Sequence, residues 1–178
     1  GFGSDFIVST KHGSLLLNGL SKSNNIRIIT SRDRPFIIEF PSQIRSSGFA
    51  GSDEIVVSNA NLELIEEIPD INNFVIIGNT YGYDAISVAP YAAATKSWVF
   101  FADKINIDEI DAILKRRNAN KVVIYGPVDR EVREALFKYA PEIINNRDRF
   151  KDNIDITKEF FKIKNTTQVI LSNGEFIA

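Results

Sequence analysis

Asn73-Phe74-Val75-Ile76-Ile77-Gly78-Asn79-Thr80-Tyr81-Gly82-Tyr83-Asp84-Ala85 is the stretch on which the fold turns. Asn73–Gly78 is expected to be a strand, and its Phe74 to Ile77 is an unbroken apolar run, which suits a strand covered on both faces. Gly78 and Gly82 bracket a turn, and an Ala-rich helical pattern follows from Asp84 to Thr95. Strand, glycine-bearing turn and helix start together make the first half of a βα unit.

The same grammar extends in both directions. Further strands are expected at Phe6–Ser9, Ile26–Thr30, Glu54–Ser58, Trp98–Ala102, Lys121–Tyr125, Glu142–Asn145 and Gln168–Ser172. Ile107 to Arg116 sets Ile107, Ile110, Ile113 and Leu114 on one helical face, with acidic residues early and Lys115 and Arg116 late, an order that complements the helix dipole. Asp129–Tyr139 is expected to be a helix turning Val132, Leu136 and Phe137 inward. Ile154–Phe161 is another, with Ile156, Phe160 and Phe161 as its apolar set. Pro35–Gly51 is irregular and reads as an insertion holding a short helix at Pro41–Ser46. Strands alternating with helices predict a doubly wound, mostly parallel α/β body, or two incomplete ones sharing a sheet.

The chain also repeats itself. Ile28-Ile29-Thr30-Ser31-Arg32-Asp33-Arg34 returns as Ile143-Ile144-Asn145-Asn146-Arg147-Asp148-Arg149, an offset of 115. Ile55-Val56-Val57-Ser58-Asn59 returns as Val169-Ile170-Leu171-Ser172-Asn173, an offset of 114. Asp5-Phe6-Ile7-Val8 similarly overlies Lys121-Val122-Val123-Ile124. Three blocks in one order imply about one and a half copies of a repeat of about 115 residues. Residues 1–70 then read as part of a preceding module, and residues 71–178 as a nearly complete one running into the next. Such a chain is expected to be cut from a longer one, and Gly1–Ser4 reads as a linker.

Composition narrows the function. With 178 residues, 44% of them apolar, the chain can bury a real core. A net charge of −2 with both signs dispersed leaves no electrostatic footprint for nucleic acid. No apolar run is long enough to span a bilayer. The absence of cysteine removes thiol catalysis, disulfides and thiolate metal sites. His12 is the single histidine and has no companion set for a zinc site or a triad. No cofactor or metal is expected, and no catalytic residue is assigned. Asp108, Glu109 and Asp111 belong to a solvated helix start, and Asn165-Thr166-Thr167 is a lone glycosylation sequon.

Two features carry candidate chemistry. The turn Gly78–Asp84 offers backbone N–H groups to an anion, with Asn79, Thr80 and Asp84 at hand and Asp84 placed to cap or support the helix. A tight structural turn is the other reading, because there is no phosphate-loop lysine and the glycine spacing misses the dinucleotide fingerprint. The paired Arg-Asp-Arg segments, Arg32 with Arg34 and Arg147 with Arg149, suit bidentate contact with carboxylate or phosphate. The other reading is that each Arg pairs with a nearby Asp or Glu and orders the connection between modules.

Val75-Ile76-Ile77-Gly78-Asn79-Thr80-Tyr81-Gly82-Tyr83-Asp84-Ala85-Ile86, followed by Ala89-Pro90-Tyr91-Ala92, resembles the cell wall-binding repeat type 2 family. The likeness runs on through Trp98-Val99-Phe100-Phe101 and Lys121–Gly126. It continues to Asn146-Arg147-Asp148-Arg149-Phe150-Lys151-Asp152, which is similar to that family's Gly-x-Asp-Arg-Tyr-x-Thr junction. Gly126-Pro127, Phe150 and Asp152 depart from the pattern and point to a divergent branch, an archaeal one included. The resemblance implies Rossmann-like modules that hold surface proteins non-covalently to anionic wall polymers. It also makes Arg147 and Arg149, with Arg32 and Arg34 by internal repeat, the candidate polymer contacts.

The expected function is a non-catalytic, extracellular module at the cell surface. Its partners are an anionic envelope polymer or neighbouring surface-protein subunits, a homo-oligomer among them. The rival readings are a purely structural surface-layer or stalk repeat, and a Rossmann-like small-molecule binder or enzyme using the Gly78–Asp84 turn.

Overall fold

The computed structural model describes residues 17–33, 40–49 and 51–164. The expected strands at Phe6–Ser9 and Gln168–Ser172, together with His12, Arg34 and the sequon, lie outside the described residues. The chain divides into two compact units, Gly1–Glu63 and Leu64–Ala178.

In the first unit, β1 (Asn25–Ser31) and β2 (Gly51–Val57) pair in parallel, with Ile28 opposite Glu54 and Ile29 opposite Ile55. A parallel pair needs a crossover, and α1 (Phe40–Ser46) lies within it. The expected short helix is therefore present inside the irregular insertion. Leu17, Ile28, Ile44 and Phe49 form a small core, with Lys22 Nζ 4.1 Å from the centre of the Phe49 ring. Asn59 and Glu63 close the turn into α2 (Ala60–Glu63), where the Glu63 carboxylate accepts from the backbone N–H groups of Ser58 and Asn59.

The second unit holds a four-stranded parallel sheet in the order β4-β3-β5-β6. Its strands are β3 (Asn73–Gly78), β4 (Ser97–Ala102), β5 (Lys121–Tyr125) and β6 (Glu142–Ile144). The two sheets are separate among the described residues. The chain runs from β3 outward to β4, then returns across β3 to β5, so the winding direction reverses between β3 and β5. The four helices are α3 (Gly82–Thr95), α4 (Ile107–Arg116), α5 (Arg130–Leu136) and α6 (Arg149–Ile163). α3 packs against α6, and α4 against α5. The unit is thus an α/β body with a Rossmann-like doubly wound parallel sheet.

Alternation along the strands divides the core. Val75, Ile77, Val123, Tyr125 and Ile144 pack with Val88, Tyr91 and Ala92 of α3 and Ile156 of α6. The intervening Phe74, Ile76, Val122 and Ile124 are equally buried. Ile107, Ile110, Ile113 and Leu114 of α4 are all buried, as their spacing predicts. A buried side chain of this size contributes about 1.5–3 kcal/mol, so these helical faces hold the layers together.

Two apolar expectations are corrected. Phe137 is 79% exposed, because one residue beyond Leu136 it is turned about 100° away from the face that Val132 and Leu136 bury; α5 gives way there to a 3-10 turn (Phe137–Tyr139). Phe161 is 40% exposed, while Ile156 and Phe160 carry the inner face of α6. Asp111 also does more than solvate a helix start. It accepts from the Tyr139 hydroxyl at 2.7 Å and pairs with Lys138 at 2.6 Å, tying α4 to the end of α5.

Candidate functional site

The strand ends at the β3–β5 reversal come into near contact. A Cβ placed on Gly78 would sit 2.5 Å from the carbonyl oxygen of Pro127, so only glycine lets the backbone after β5 approach the end of β3. Gly126 adopts φ +69° and donates its N–H to the Ile144 carbonyl at 2.8 Å, linking the ends of β5 and β6. These approaches fix the floor of a crevice at the carboxyl ends of the strands, the usual ligand position in open α/β sheets.

A cavity of about 270 Å³ opens there, lined by Tyr83, Asp84, Pro127, Asn145, Arg147, Asp148, Arg149 and Asp152. Three loops supply it. Tyr83 and Asp84 come from the first turn of α3, Pro127 from the turn after β5, and the remainder from the junction between β6 and α6. That junction is built by local hydrogen bonds. Asp148 caps α6 by accepting from the backbone N–H groups of Phe150 and Lys151. Arg147 stands in the left-handed region at φ +59°, its N–H donating to Asn145 Oδ1 at 3.1 Å. Left-handed backbone is costly for a residue with a Cβ, so the loop holds Arg147 under strain.

The electrostatics are mixed. Arg149 carries its guanidinium 5.2 Å from the centre of the Tyr83 ring and 4.8 Å from that of Phe150, in cation–π range of both. Arg147 and Arg149 are exposed and enter no ion pair among the described residues. Asp84 and Asp152 are 2% and 3% exposed. Asp152 Oδ1 accepts from the Asn146 N–H at 2.6 Å and from Asn146 Nδ2 at 2.9 Å. Asp84 Oδ2 has no hydrogen-bond partner, alone in this among buried side-chain polar atoms of the described residues. Burial, and then the nearby Asp152 charge, push the Asp84 carboxyl up to about 6. Tyr125 lies in the same neighbourhood; burial pushes its phenol to about 12, with the Asp84 and Asp152 charges adding to the rise.

The residues singled out from sequence scatter. Arg147, Arg149 and Asp84 line this cavity. Asn79 does not; its side-chain amide donates to Asp103 Oδ2 at 3.3 Å, beyond the end of β4. Thr80 is exposed and outside the lining. Arg32 belongs to the first unit, where its N–H donates to the Val57 carbonyl at 2.8 Å. Asp84 does not cap α3, because the helix begins at Gly82 with Tyr81 as N-cap and no side-chain cap bond. Asp152 and Tyr83 were not anticipated as site residues. Asp152 sits 68 positions from Asp84 in sequence, and the sheet order alone brings them together.

No family model matches the chain, and no curated protein sequence matches it. Among solved structures, Cwp8 from Clostridium difficile, a cell wall protein, is similar in fold, with a TM-score of 0.57 at 16% identity. The match covers 76% of this chain and 24% of Cwp8, so the chain spans about a quarter of that protein's length. No helix among the described residues is long and apolar enough to cross a membrane.

Proposed function

We propose that the chain is a non-catalytic cell-surface module that anchors or assembles a surface protein by binding an anionic envelope polymer. The observation that carries this reading is the placement of Arg147 and Arg149 on the wall of the cavity at the strand carboxyl ends. Guanidinium groups without carboxylate partners are available to acidic groups of a ligand, and they bind carboxylate or phosphate in a bidentate fork. Arg149 is steadied by two aromatic rings, so it loses less side-chain freedom when an anion arrives. The likeness in fold to a cell wall protein supports a surface location. Weak contacts of this kind gain strength from repetition along a polymer and along a repetitive chain.

The test is a pull-down of the folded chain with purified cell envelopes at low and high salt, beside an Arg147→Ala/Arg149→Ala variant. Salt-sensitive binding that the variant loses is the expected result. Absence of binding in both salts overturns the polymer reading and leaves a purely structural surface repeat in its place.

A further inference from the structure

Charge bookkeeping in the cavity does not fit a ligand that is only anionic. Three carboxylates, Asp84, Asp148 and Asp152, share the lining with two guanidiniums, Arg147 and Arg149. Asp148 is occupied in capping α6, and Asp152 accepts twice from Asn146. Asp84 has no such use. Its Oδ2 is buried and unpartnered, and a buried acceptor left without a donor is costly. The groups that face it, Tyr83, Tyr125, Asp152 of α6 and the backbone at Gly126, leave that oxygen without a donor.

A carboxylate kept in this condition on a cavity wall is what a donor-bearing ligand would complete. A hydroxyl would supply the hydrogen bond but leave the surplus negative charge in place. An ammonium supplies both the bond and the missing positive charge. We infer that the cavity takes a zwitterionic unit, its acidic group against Arg147 and Arg149 and its protonated amine against Asp84. The volume of about 270 Å³ is just under the usual range for small-molecule sites, so one unit enters at a time. This inference rests on the envelope-polymer reading and specifies the polymer: its units carry free amines beside their acidic groups.

The experiment compares glucosamine 6-phosphate, glucose 6-phosphate and glucosamine as probes, titrated into the chain at pH 7 and followed by NMR or calorimetry. Glucosamine 6-phosphate should bind at least tenfold more tightly than either of the others. Asp84→Asn should erase its advantage over glucose 6-phosphate, whereas Arg149→Ala should weaken both phosphates alike. Equal affinity of the two phosphates for the wild-type chain, or no binding of any probe by a folded chain, overturns the inference. A second arm uses envelopes treated with acetic anhydride, which caps free amines. Loss of binding after treatment supports the inference. Arginine-dependent binding that survives treatment overturns it while leaving the polymer reading intact, and failure to bind untreated envelopes removes the polymer reading itself.

Discussion

Asp84 and Asp152 stand in the first turns of α3 and α6, both buried, yet only Asp152 has hydrogen bonds to hold its charge. The two helices pack together, so their N-termini bring the carboxylates into one neighbourhood. A proton arriving there resides on Asp84, whose carboxyl is raised to about 6 by burial and then by the nearby Asp152 charge. The pair makes the stability of the second unit sensitive to pH in a direction opposite to that of an ordinary salt-bridged aspartate.

The sign follows from linkage. The Asp84 carboxyl is raised from 3.8 to about 6 on folding, so the folded chain takes up the proton before the unfolded chain does. The stabilising contribution is complete below about pH 4 and is lost as pH rises through 6. Asp84→Asn should therefore raise the midpoint of thermal unfolding at pH 7.5, by an amount equivalent to about 2–3 kcal/mol, and change it little at pH 4. Melting curves of both proteins across this range check it; a variant that loses stability at pH 7.5 would refute the assignment of an unpaired carboxylate.

Gly78 and Gly126 should respond differently to alanine. At Gly126 the new Cβ meets Asp84 Oδ2 at 3.2 Å, and the backbone is left-handed, so a loss of about 1–2 kcal/mol is expected. At Gly78 the Cβ would press to 2.5 Å from the Pro127 carbonyl, which is main chain and cannot swing aside. Urea unfolding should show Gly78→Ala to be the more damaging of the two.

Much of this architecture is legible in the sequence because burial on both faces forces apolar runs. Asn73–Gly78, Lys121–Tyr125 and Ile107–Arg116 have the bounds that their patterns predict. α6 begins five residues earlier than the expected Ile154, since Asp148 reads as part of a charged Arg-Asp-Arg segment and not as the N-cap that it is. Phe137 misleads through its apolar character, since helical spacing turns the residue after Leu136 away from the face that Val132 and Leu136 bury. The site is half legible. Its arginines are visible as a repeated motif, whereas the Asp84–Asp152 neighbourhood depends on which strands become neighbours, and no local pattern records that.

The cap on α6 offers a separate check on how the cavity wall is held. Asp148 accepts from Phe150 and Lys151 N–H groups, so Asp148→Ala should cost about 1 kcal/mol and loosen the first turn of the helix. Hydrogen exchange should quicken at residues 150–152 and remain unchanged across β3. Unchanged exchange at the start of α6 would mean that the cap does not hold the junction.

Arg147 brings strain and recognition into conflict at one residue. Its left-handed backbone suits glycine, so Arg147→Gly should relieve conformational strain and leave stability unchanged or improved by up to about 1 kcal/mol, the unfolded chain's extra freedom offsetting part of the gain. The same change removes one of the two guanidiniums on the cavity wall. A chain that melts no lower but binds envelopes several-fold more weakly would show that the arginine is kept for contact and not for folding, since strain persists where function requires it. If Arg147→Gly instead lowers the melting point with binding unaffected, the side chain serves the junction, and Arg149 must carry the anion alone.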